Sequence, residues 1–445
     1  MPIIGQEFLS LKISTPGLAN KDLAYDFTEN VFCVYELGGR TPSTPNSEVI
    51  ELKICSPELL KNHRVRVSKA YEETIDKIVT SILQNPKYIN TRKDLFIEKT
   101  QGIRKIVSPN LNPYNLISNL TRESISAADE SPHFLFFENT RGFHFRSIQS
   151  MYSQGSTGEY HQGDSGFDED LFGAGGDSGS LIQSYKRIIN ISVPNKNNSL
   201  LDVKGGMLGS TLIMHDIYNK KYSKSTFSYF DDYEKYGRIE MSPKYNNVLI
   251  DDENTVGNFT DARIYLHPTS ITKDDKDSQY IVVPDTVEEL VEQGVDRGLA
   301  QAEVDRQQKE IAEGNKDYMS NRANKWLLHR RQRLHELNSG MTVNMSIHGN
   351  TTVEAGQVIH INFPIFGRDH ENTKLSKYQT GKYLISKLRH TFNPPTKMHT
   401  ISLQATKDSL PEGFKSDSFP EPKKSKKSQN FFDANTMNYI KEAFG

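Results

Sequence analysis

The stretch GNTTVEAGQVIHINFPI, residues 349–365, has the clearest secondary-structure pattern in the chain. Its Gly-Asn turn separates two runs in which apolar and polar residues alternate, as they do in a strand with one buried face. A later run repeats the alternation near residue 400. The apolar positions of these runs are Val343, Met345, Ile347, Ile359, Ile361, Phe363, Ile401 and Leu403. We expect these eight side chains to form the core of one small β-unit.

A further strand is predicted between these runs, in GKYLISKLRHTF. Strict alternation would place Tyr383 and Ile385 on one face of it, with Leu384 and Leu388 on the other. Residues 1–67 also alternate in short runs, around a loop rich in Gly, Pro and Ser. They predict a first small β-barrel or sandwich at the other end of the chain.

Residues 68–152 predict a compact α+β module. From Ser68, a candidate N-cap, apolar residues recur with helical spacing, and Asn112-Pro113 provides a cap followed by proline at the first helical position. The helical positions are Tyr71, Ile75, Ile78 and Ile82. Residues 133–147 predict a hairpin of two aromatic strands that turns at Asn139–Gly142.

Overall composition argues against several classes of protein. The 445 residues carry 54 Lys and Arg against 56 Asp and Glu, without the basic excess usual for a nucleic-acid-binding domain. The mean hydropathy is −0.62 and no apolar run approaches the ~18 residues of a membrane span. No signal pattern appears in Met1–Asn20, so we expect synthesis in a cytoplasm. Cys33 and Cys55 are too few for a disulfide framework or a metal cluster.

Each motif that suggests catalysis or metal binding is incomplete. Two GDSG tetrads lie in a Gly/Asp/Ser-rich loop, and the second contains Ser178, but the chain lacks the Ala-His-Cys segment that carries the base in trypsin-like proteases. The acidic run 164–170 lacks the spacing of a calcium-binding EF-hand loop. No HExxH, Walker or dinucleotide-binding motif is present. We therefore predict no catalytic residue, no metal ligand and no cofactor.

The last part of the chain changes character twice. Residues 284–338 are the most helical stretch, and residues 411–429 resemble a linker, with a lysine cluster that we expect to be solvated. A short amphipathic helix is predicted after it. Because such a helix is marginal alone, it should dock on a partner or on its own subunit. Its candidate docking residues are Phe431, Phe432, Thr436, Tyr439, Ile440 and Phe444.

Three groups of stretches resemble the central baseplate hub protein of contractile-tailed phages, the T-even-type hub, which is related to the N-terminal part of the type VI secretion spike protein. The stretches resemble those of hub proteins in their order along the chain and in their residue pattern, over most of residues 1–410. They include FLFFENTRGFHFRSIQSM and GGMLGSTLIMHDIYNKKYSKSTFSYFDDY. The full set spans residues 63–79, 95–120, 134–151, 205–233, 326–365, 381–392 and 399–409.

The resemblance implies an α+β, mainly β fold, with two small tube-like β-barrel domains flanking a mixed α+β middle, assembled as a trimeric ring. The second barrel would be discontinuous. The implied divisions are 1–67 for the first barrel, 68–152 for the α+β module, 153–202 for the loop and linking segment, 203–232 plus 340–407 for the second barrel, 233–339 for an inserted helical and mixed segment, and 408–445 for the linker and C-terminal helix.

The implied function is mechanical. A trimer with pseudo-six-fold symmetry would adapt the six-fold tail tube to the three-fold spike and line the channel for DNA passage. Its partners would be further copies of itself, the central spike protein, the tail tube protein or a tube initiator, neighbouring baseplate wedge proteins, and DNA or a tape-measure protein in transit. The expected location is the baseplate of the virion tail. The alternatives are a tail-associated peptidoglycan hydrolase, another enzyme of the tail tip, or a carbohydrate-binding module.

Overall fold

The computed structural model describes most of the chain, with gaps. The described residues are 3–13, 25–45, 47–162, 185–194, 198–216, 221–245, 260–268, 287–292, 295–312, 327–364 and 375–412. Within them the fold is mixed α+β and mainly β, and its largest unit is a curled six-stranded half-barrel.

The elements of the first half begin with five strands and continue through the α+β module. The strands are β1 (Phe8–Leu9), β2 (Lys12–Ile13), β3 (Tyr25–Asp26), β4 (Phe32–Thr44), β5 (Ser47–Cys55), β6 (Ala70–Thr74), β7 (Asp94–Ile97), β8 (Ile103–Val107), β9 (Phe134–Glu138), β10 (Gly142–Ser147), β11 (Ser156–His161) and β12 (Ile188–Ser192). The helices are α1 (Pro57–Arg64), α2 (Ile75–Gln84), α3 (Pro113–Leu120) and α4 (Ile148–Tyr152).

The second half alternates between strands and helices before it ends in long strands. The strands are β13 (Gly209–Asp216), β14 (Lys221–Ser228), β15 (Ser242–Pro243), β16 (Ile264–Pro268), β17 (Met341–His348), β18 (Val358–Asn362), β19 (Gly381–Asn393), β20 (Met398–Lys407) and β21 (Ser409–Leu410). The helices are α5 (Ser199–Gly205), α6 (Val287–Glu292), α7 (Arg297–Ala312) and α8 (Leu327–Ser339). In the described part of the chain, every helix is too short or too polar to cross a bilayer.

The half-barrel has the strand order β11-β18-β19-β20-β17-β12. Its β11–β18 pair is parallel and the other neighbours are antiparallel. A single bridge between His161 and Arg187 connects the region of one edge strand to that of the other. The sheet therefore curls far enough for its two edges to meet at one end.

The inner face of the half-barrel is closely packed. All eight side chains expected to form the core of the β-unit lie there, in one cluster with Tyr160, Ile188, Tyr383 and Ile385. Each of the eight is exposed by 4% or less. We call this side the inner face and the opposite side the outer face. Burial of this apolar surface is the main stabilising term of the unit.

The N-terminal region is less complete than a barrel. In the described residues, β1, β4 and β5 form a three-stranded sheet and β2 pairs separately with β3. Residues 57–64, expected to lie in the β region, form α1 instead, and Pro57 occupies its start. Proline favours the first helical turn, where its missing N–H is not needed. Leu59 and Leu60 remain more than a third exposed, whereas Glu58 and Asn62 are the buried side chains of this helix.

The α+β module buries its own core beside β7, β9 and β10. The hairpin in residues 133–147 and the helix beginning at Pro113 are confirmed. The helix start at Ser68 is wrong, because Ala70–Thr74 is a strand that pairs with Ile103–Val107 and the helix begins only at Ile75. The apolar spacing still predicted burial correctly, since Tyr71, Ile75, Ile78 and Ile82 all lie in the core.

Residues 203–232 occupy a different place from the one that the hub resemblance implies. Their strands β13 and β14 pair with each other, and β13 pairs in parallel with β16. Among the described residues they make no ladder with strands of 340–407. The places of β11 and β12 in the half-barrel explain the difference, because these two strands already occupy its edges. The six domain boundaries as a whole stay a prediction.

We expect Ile361→Ala to lower the free energy of unfolding by about 2–5 kcal/mol, because Ile361 is fully buried on the inner face and a cavity would replace its side chain. Ser402→Ala on the exposed part of β20 should change it by less than about 0.5 kcal/mol. Urea unfolding followed by circular dichroism measures both. Equal costs for the two variants would show that the inner face is assigned incorrectly.

Candidate functional site

The outer face of the half-barrel is covered at one end. Val358 and Leu384, neighbours across β18 and β19, pack there against Ile148, Met151 and Tyr152 of α4. Leu334 and Leu337 of α8 complete this contact. The α+β module and α8 are thereby fixed against the sheet that they cover.

The other end of the outer face is open and polar. Two rows of side chains run across four strands at right angles to them. One row is Ser192, Asn344, Gln404 and Lys387, and the other is Asn190, Ser346, Ser402 and Arg389. Together they line an open groove of about 490 Å³. We call this surface the polar groove.

Charge in the polar groove has one sign. Lys387 and Arg389 are exposed, and neither forms a salt bridge within the described residues. The side chains beside them are hydroxyls and amides, and no Asp or Glu is among the described residues that line the groove. Such a surface can contact an anionic or neutral polar partner by hydrogen bonds without repelling it.

A bulge in β19 places the two cations in the groove. Register along β19 and β20 shifts between Ile385 and Lys387, so the alternation restarts one residue later. Lys387 and Arg389 therefore point to the outer face, and Leu388 packs on the inner cluster. The prediction that Leu384 and Leu388 share a face is wrong for this reason, since Leu384 packs under α4.

A buried network of four charges lies beside the covered end. Arg333 of α8 donates to Asp408 at 2.5 Å and to Glu336 at 3.1 Å, and also to the carbonyl of Gly237. Arg238 donates to the same Glu336 at 2.6 Å. The Arg333, Glu336 and Asp408 side chains are each only 1% exposed. Two guanidiniums thus share two carboxylates, so the network is neutral as a whole.

Aromatic rings and a buried histidine lie around the network. Tyr229 and Tyr233 present their rings to the Arg238 guanidinium, at 5.3 and 4.3 Å. His133 is fully buried nearby, and burial, with Arg333 adding to it, holds its pKa well below the usual range. The imidazole is therefore neutral at physiological pH. Both carboxylates of the network are held by guanidiniums, so this region serves as a structural joint.

Lys407, the residue before Asp408, bonds to backbone carbonyls and not to the charge network. Its ammonium, 1% exposed as a residue, donates to the carbonyl oxygens of Tyr378, Gln379 and Thr380 at 2.6, 3.0 and 3.3 Å. Burial lowers the pKa of Lys407 to about 7, against a smaller opposing effect of Glu240. The side chain fastens the turn before β19 to the end of β20.

A histidine pair lies near the far end of β19 and β20. His390 Nδ1 and His399 Nε2 are 3.1 Å apart, and the Tyr25 hydroxyl is 3.1 Å from His390 Nε2. Burial lowers the pKa of both imidazoles, that of His399 to about 4. Phe392 stacks on His399 with ring centroids 4.0 Å apart. The cluster holds β3 against the half-barrel as neutral, hydrogen-bonded rings.

The other residues singled out in the sequence fall into two groups. The candidate docking residues of the C-terminal helix, at positions 431–444, and Ser178 with the acidic run lie outside the described residues. Within the described ranges, no group of three or more His, Cys, Asp or Glu side chains is arranged to hold a metal ion.

Sequence reasoning missed both the polar groove and the charge network. Strict alternation from Ile385 places Lys387 on the inner face, because a residue pattern gives no sign of the bulge between them. Arg333 and Glu336 are three residues apart on a helix, a spacing that usually signals an exposed ion pair. Asp408, 75 residues further on, gave no signal of its own.

Comparison with solved structures finds several chains that are similar to this one. The chain is similar to the tail protein from Neisseria meningitidis MC58, with a TM-score of 0.40 and 8% sequence identity, over 85% of this chain and 80% of that chain. No protein-family profile matches the chain, and no curated protein sequence matches it.

Asp408→Asn should lower the free energy of unfolding by about 3–5 kcal/mol, because two buried guanidiniums would be left with one carboxylate. Glu412→Gln is the matched control, since Glu412 forms an exposed pair with Lys377 that should contribute at most about 1 kcal/mol. Urea denaturation of both variants separates these values. A small loss for Asp408→Asn would mean that the four charges do not act as one network.

Lys407 should make stability depend on pH in a defined direction. Its pKa is about 7 in the folded chain and about 10.4 when unfolded, so the unfolded chain binds more protons between these values and stability rises with pH across this window. Relative to Lys407→Met, the wild type should gain about 2 kcal/mol between pH 7 and 9. Urea titrations at both pH values measure the difference, and parallel behaviour of the two proteins would contradict it.

Proposed function

We propose that this chain is a structural protein of a contractile phage tail, and specifically a hub of the baseplate. The resemblance over most of residues 1–410 supports the family. The observation that carries the proposal is the half-barrel, whose inner face is packed by its own side chains while the open part of its outer face is polar. A wall of a tube needs such a sheet, because it must be rigid by itself and wettable where the channel passes.

The N-terminal sheet supports assembly with further copies. Phe8, Tyr35 and Val49 are exposed by 70%, 51% and 60% on this three-stranded sheet. Large apolar side chains gathered on one small sheet commonly mark a protein interface. In the proposed trimer, this region takes the place of the first tube-like barrel and is completed by contacts between subunits.

The polar groove would face the channel of the ring. Its hydroxyl and amide side chains, with Lys387 and Arg389, suit a surface past which DNA or a tape-measure protein moves. Only two cations per subunit contribute, so any attraction to phosphates would be weak and strongly reduced by salt. Weak contact is what passage requires, since tight binding would hold the DNA in place.

The remaining partners belong to the same proposal. The ring would lie between the tail tube protein or a tube initiator and the central spike protein, with baseplate wedge proteins around it. The C-terminal residues Phe431, Phe432, Thr436, Tyr439, Ile440 and Phe444 would dock as a short helix in a groove of the spike or of a neighbouring baseplate protein. The role is mechanical and requires no catalytic residue.

The full-length protein should form a trimer of about three times 50.6 kDa in light scattering, alone or on addition of the spike protein. Electron microscopy of that species should show a three-fold ring with Lys387 and Arg389 on the channel side. A protein that stays monomeric with the spike present, or forms a stable dimer, would contradict the hub. A ring whose channel is lined by another face would contradict only the orientation of the polar groove.

A further inference from the structure

The only two cysteines of the chain lie directly opposite each other. Cys33 and Cys55 are 22 positions apart in sequence, from 33 to 55, and form a register pair of the antiparallel β4–β5 hairpin. Both are thiols in this structure. Residues that face each other across two strands project on the same side of the sheet, so the two sulfur atoms share one side of the hairpin.

The ladder geometry is compatible with a bond between them. Opposite residues in an antiparallel pair have Cα atoms ~4.5 or ~5.5 Å apart, and a disulfide accepts Cα separations of ~4.4–6.8 Å. The Cβ atoms of such a pair, ~4.5–5.5 Å apart, must approach to ~3.5–4.5 Å. The register shift between Val34 and Glu36 lies next to Cys33 and gives β4 a place to adjust.

The position of the pair gives the bond a structural effect. Cys33 and Cys55 lie at the base of the hairpin, where Cys33 also pairs with Phe8 of β1. Towards the tip, residues 40–45 of β4 and its turn are exposed, as are residues 47–49 of β5. A two-stranded ribbon without a packed face is marginally stable in water. A covalent bond at its base would limit how far the two strands can separate.

We propose that Cys33 and Cys55 are a redox-controlled cross-link site, at which an intramolecular disulfide locks the β4–β5 hairpin. The oxidant is a low-molecular-weight disulfide such as oxidised glutathione. The Cys55 thiolate attacks one sulfur of glutathione disulfide, forms a mixed disulfide and releases one glutathione thiolate. The Cys33 thiolate then attacks the Cys55 sulfur and releases the second glutathione. Two thiol protons leave, the protein loses two electrons, and one glutathione disulfide becomes two glutathiones.

Burial decides the order and speed of these steps. Cys55 is partly exposed whereas Cys33 is only 4% exposed, so Cys55 meets the oxidant first. Burial raises the pKa of both thiols, and Glu138 adds to this effect at Cys55. Because the thiolate is the attacking species, oxidation should be slow at neutral pH and faster as the pH rises.

The test is to incubate the folded full-length protein with oxidised and reduced glutathione at several ratios, to quench it with acid and to measure its intact mass. The expected product is lighter by two hydrogen atoms, carries no glutathione, and gives one crosslinked peptide containing residues 33 and 55. Hydrogen exchange at the hairpin amides should slow by on the order of 100-fold on oxidation, because the disulfide constrains the opened state.

The serine variants test the proposed intermediate. Cys33→Ser should stop with one glutathione attached to Cys55, and Cys55→Ser should react much more slowly because only the buried thiol remains. Wild-type protein that keeps two thiols under oxidising ratios, carries two glutathiones, or forms disulfide-linked dimers would overturn the proposal. The wild-type mass decides the matter even where a variant fails to fold.

The biological setting rests on the proposed function, but the chemistry does not. A tail protein is made in the reducing host cytoplasm and then released with the virion into an oxidising medium. The hairpin would therefore be free to adjust during assembly and become locked afterwards. If the trimer assay fails while the intramolecular disulfide forms, the cross-link site stands and only this setting is lost.

Discussion

The neutral network of Arg238, Arg333, Glu336 and Asp408 is the constraint on which the arrangement of the large elements depends. Its members come from α8, from the segment before β15 and from the residue after β20. Burying four charges costs about as much desolvation energy as their attraction returns, so the network adds little net stability. It does make other arrangements costly, because any displacement of α8 would leave a buried charge unpaired. The covered end of the half-barrel is fixed in this way.

Because the charge network fixes α8 over one end of the half-barrel, the outer face is divided into a covered half and an open half. Where α4 and α8 cover the sheet, its outward positions are apolar, such as Val358 and Leu384. Where the cover ends, the same strands carry amides, hydroxyls and two cations. The change takes place within single strands, and in β19 it coincides with the bulge after Ile385. One inner core thus supports an outer face with two separate roles, a fixed contact inside the chain and an open surface.

The sequence predicted these features to different degrees, for physical reasons. Period-two alternation identified the eight inner-face residues because one-sided burial leaves that signal in every strand. Alternation failed at Leu388, where one bulged residue reverses the faces. Helical spacing failed at Tyr71, which lies in a strand that pairs with β8. The pairing of β13 with β16 and the approach of Asp408 to Arg333 depend on contacts between distant parts of the chain. No local pattern encodes such contacts.

Lys407 and Asp408 show why the end of β20 can serve as the anchor of the whole unit. Successive residues of a strand point to opposite sides, so these two adjacent charges reach different partners. Lys407 finds the backbone carbonyls of residues 378–380, which a turn leaves without ladder partners, and Asp408 finds the guanidinium of Arg333. One partner set is pH-sensitive, because an amine can lose its proton near neutrality. In the other set, each carboxylate lies against a guanidinium. The attachment of the turn before β19 is therefore the pH-dependent contact at this end of β20.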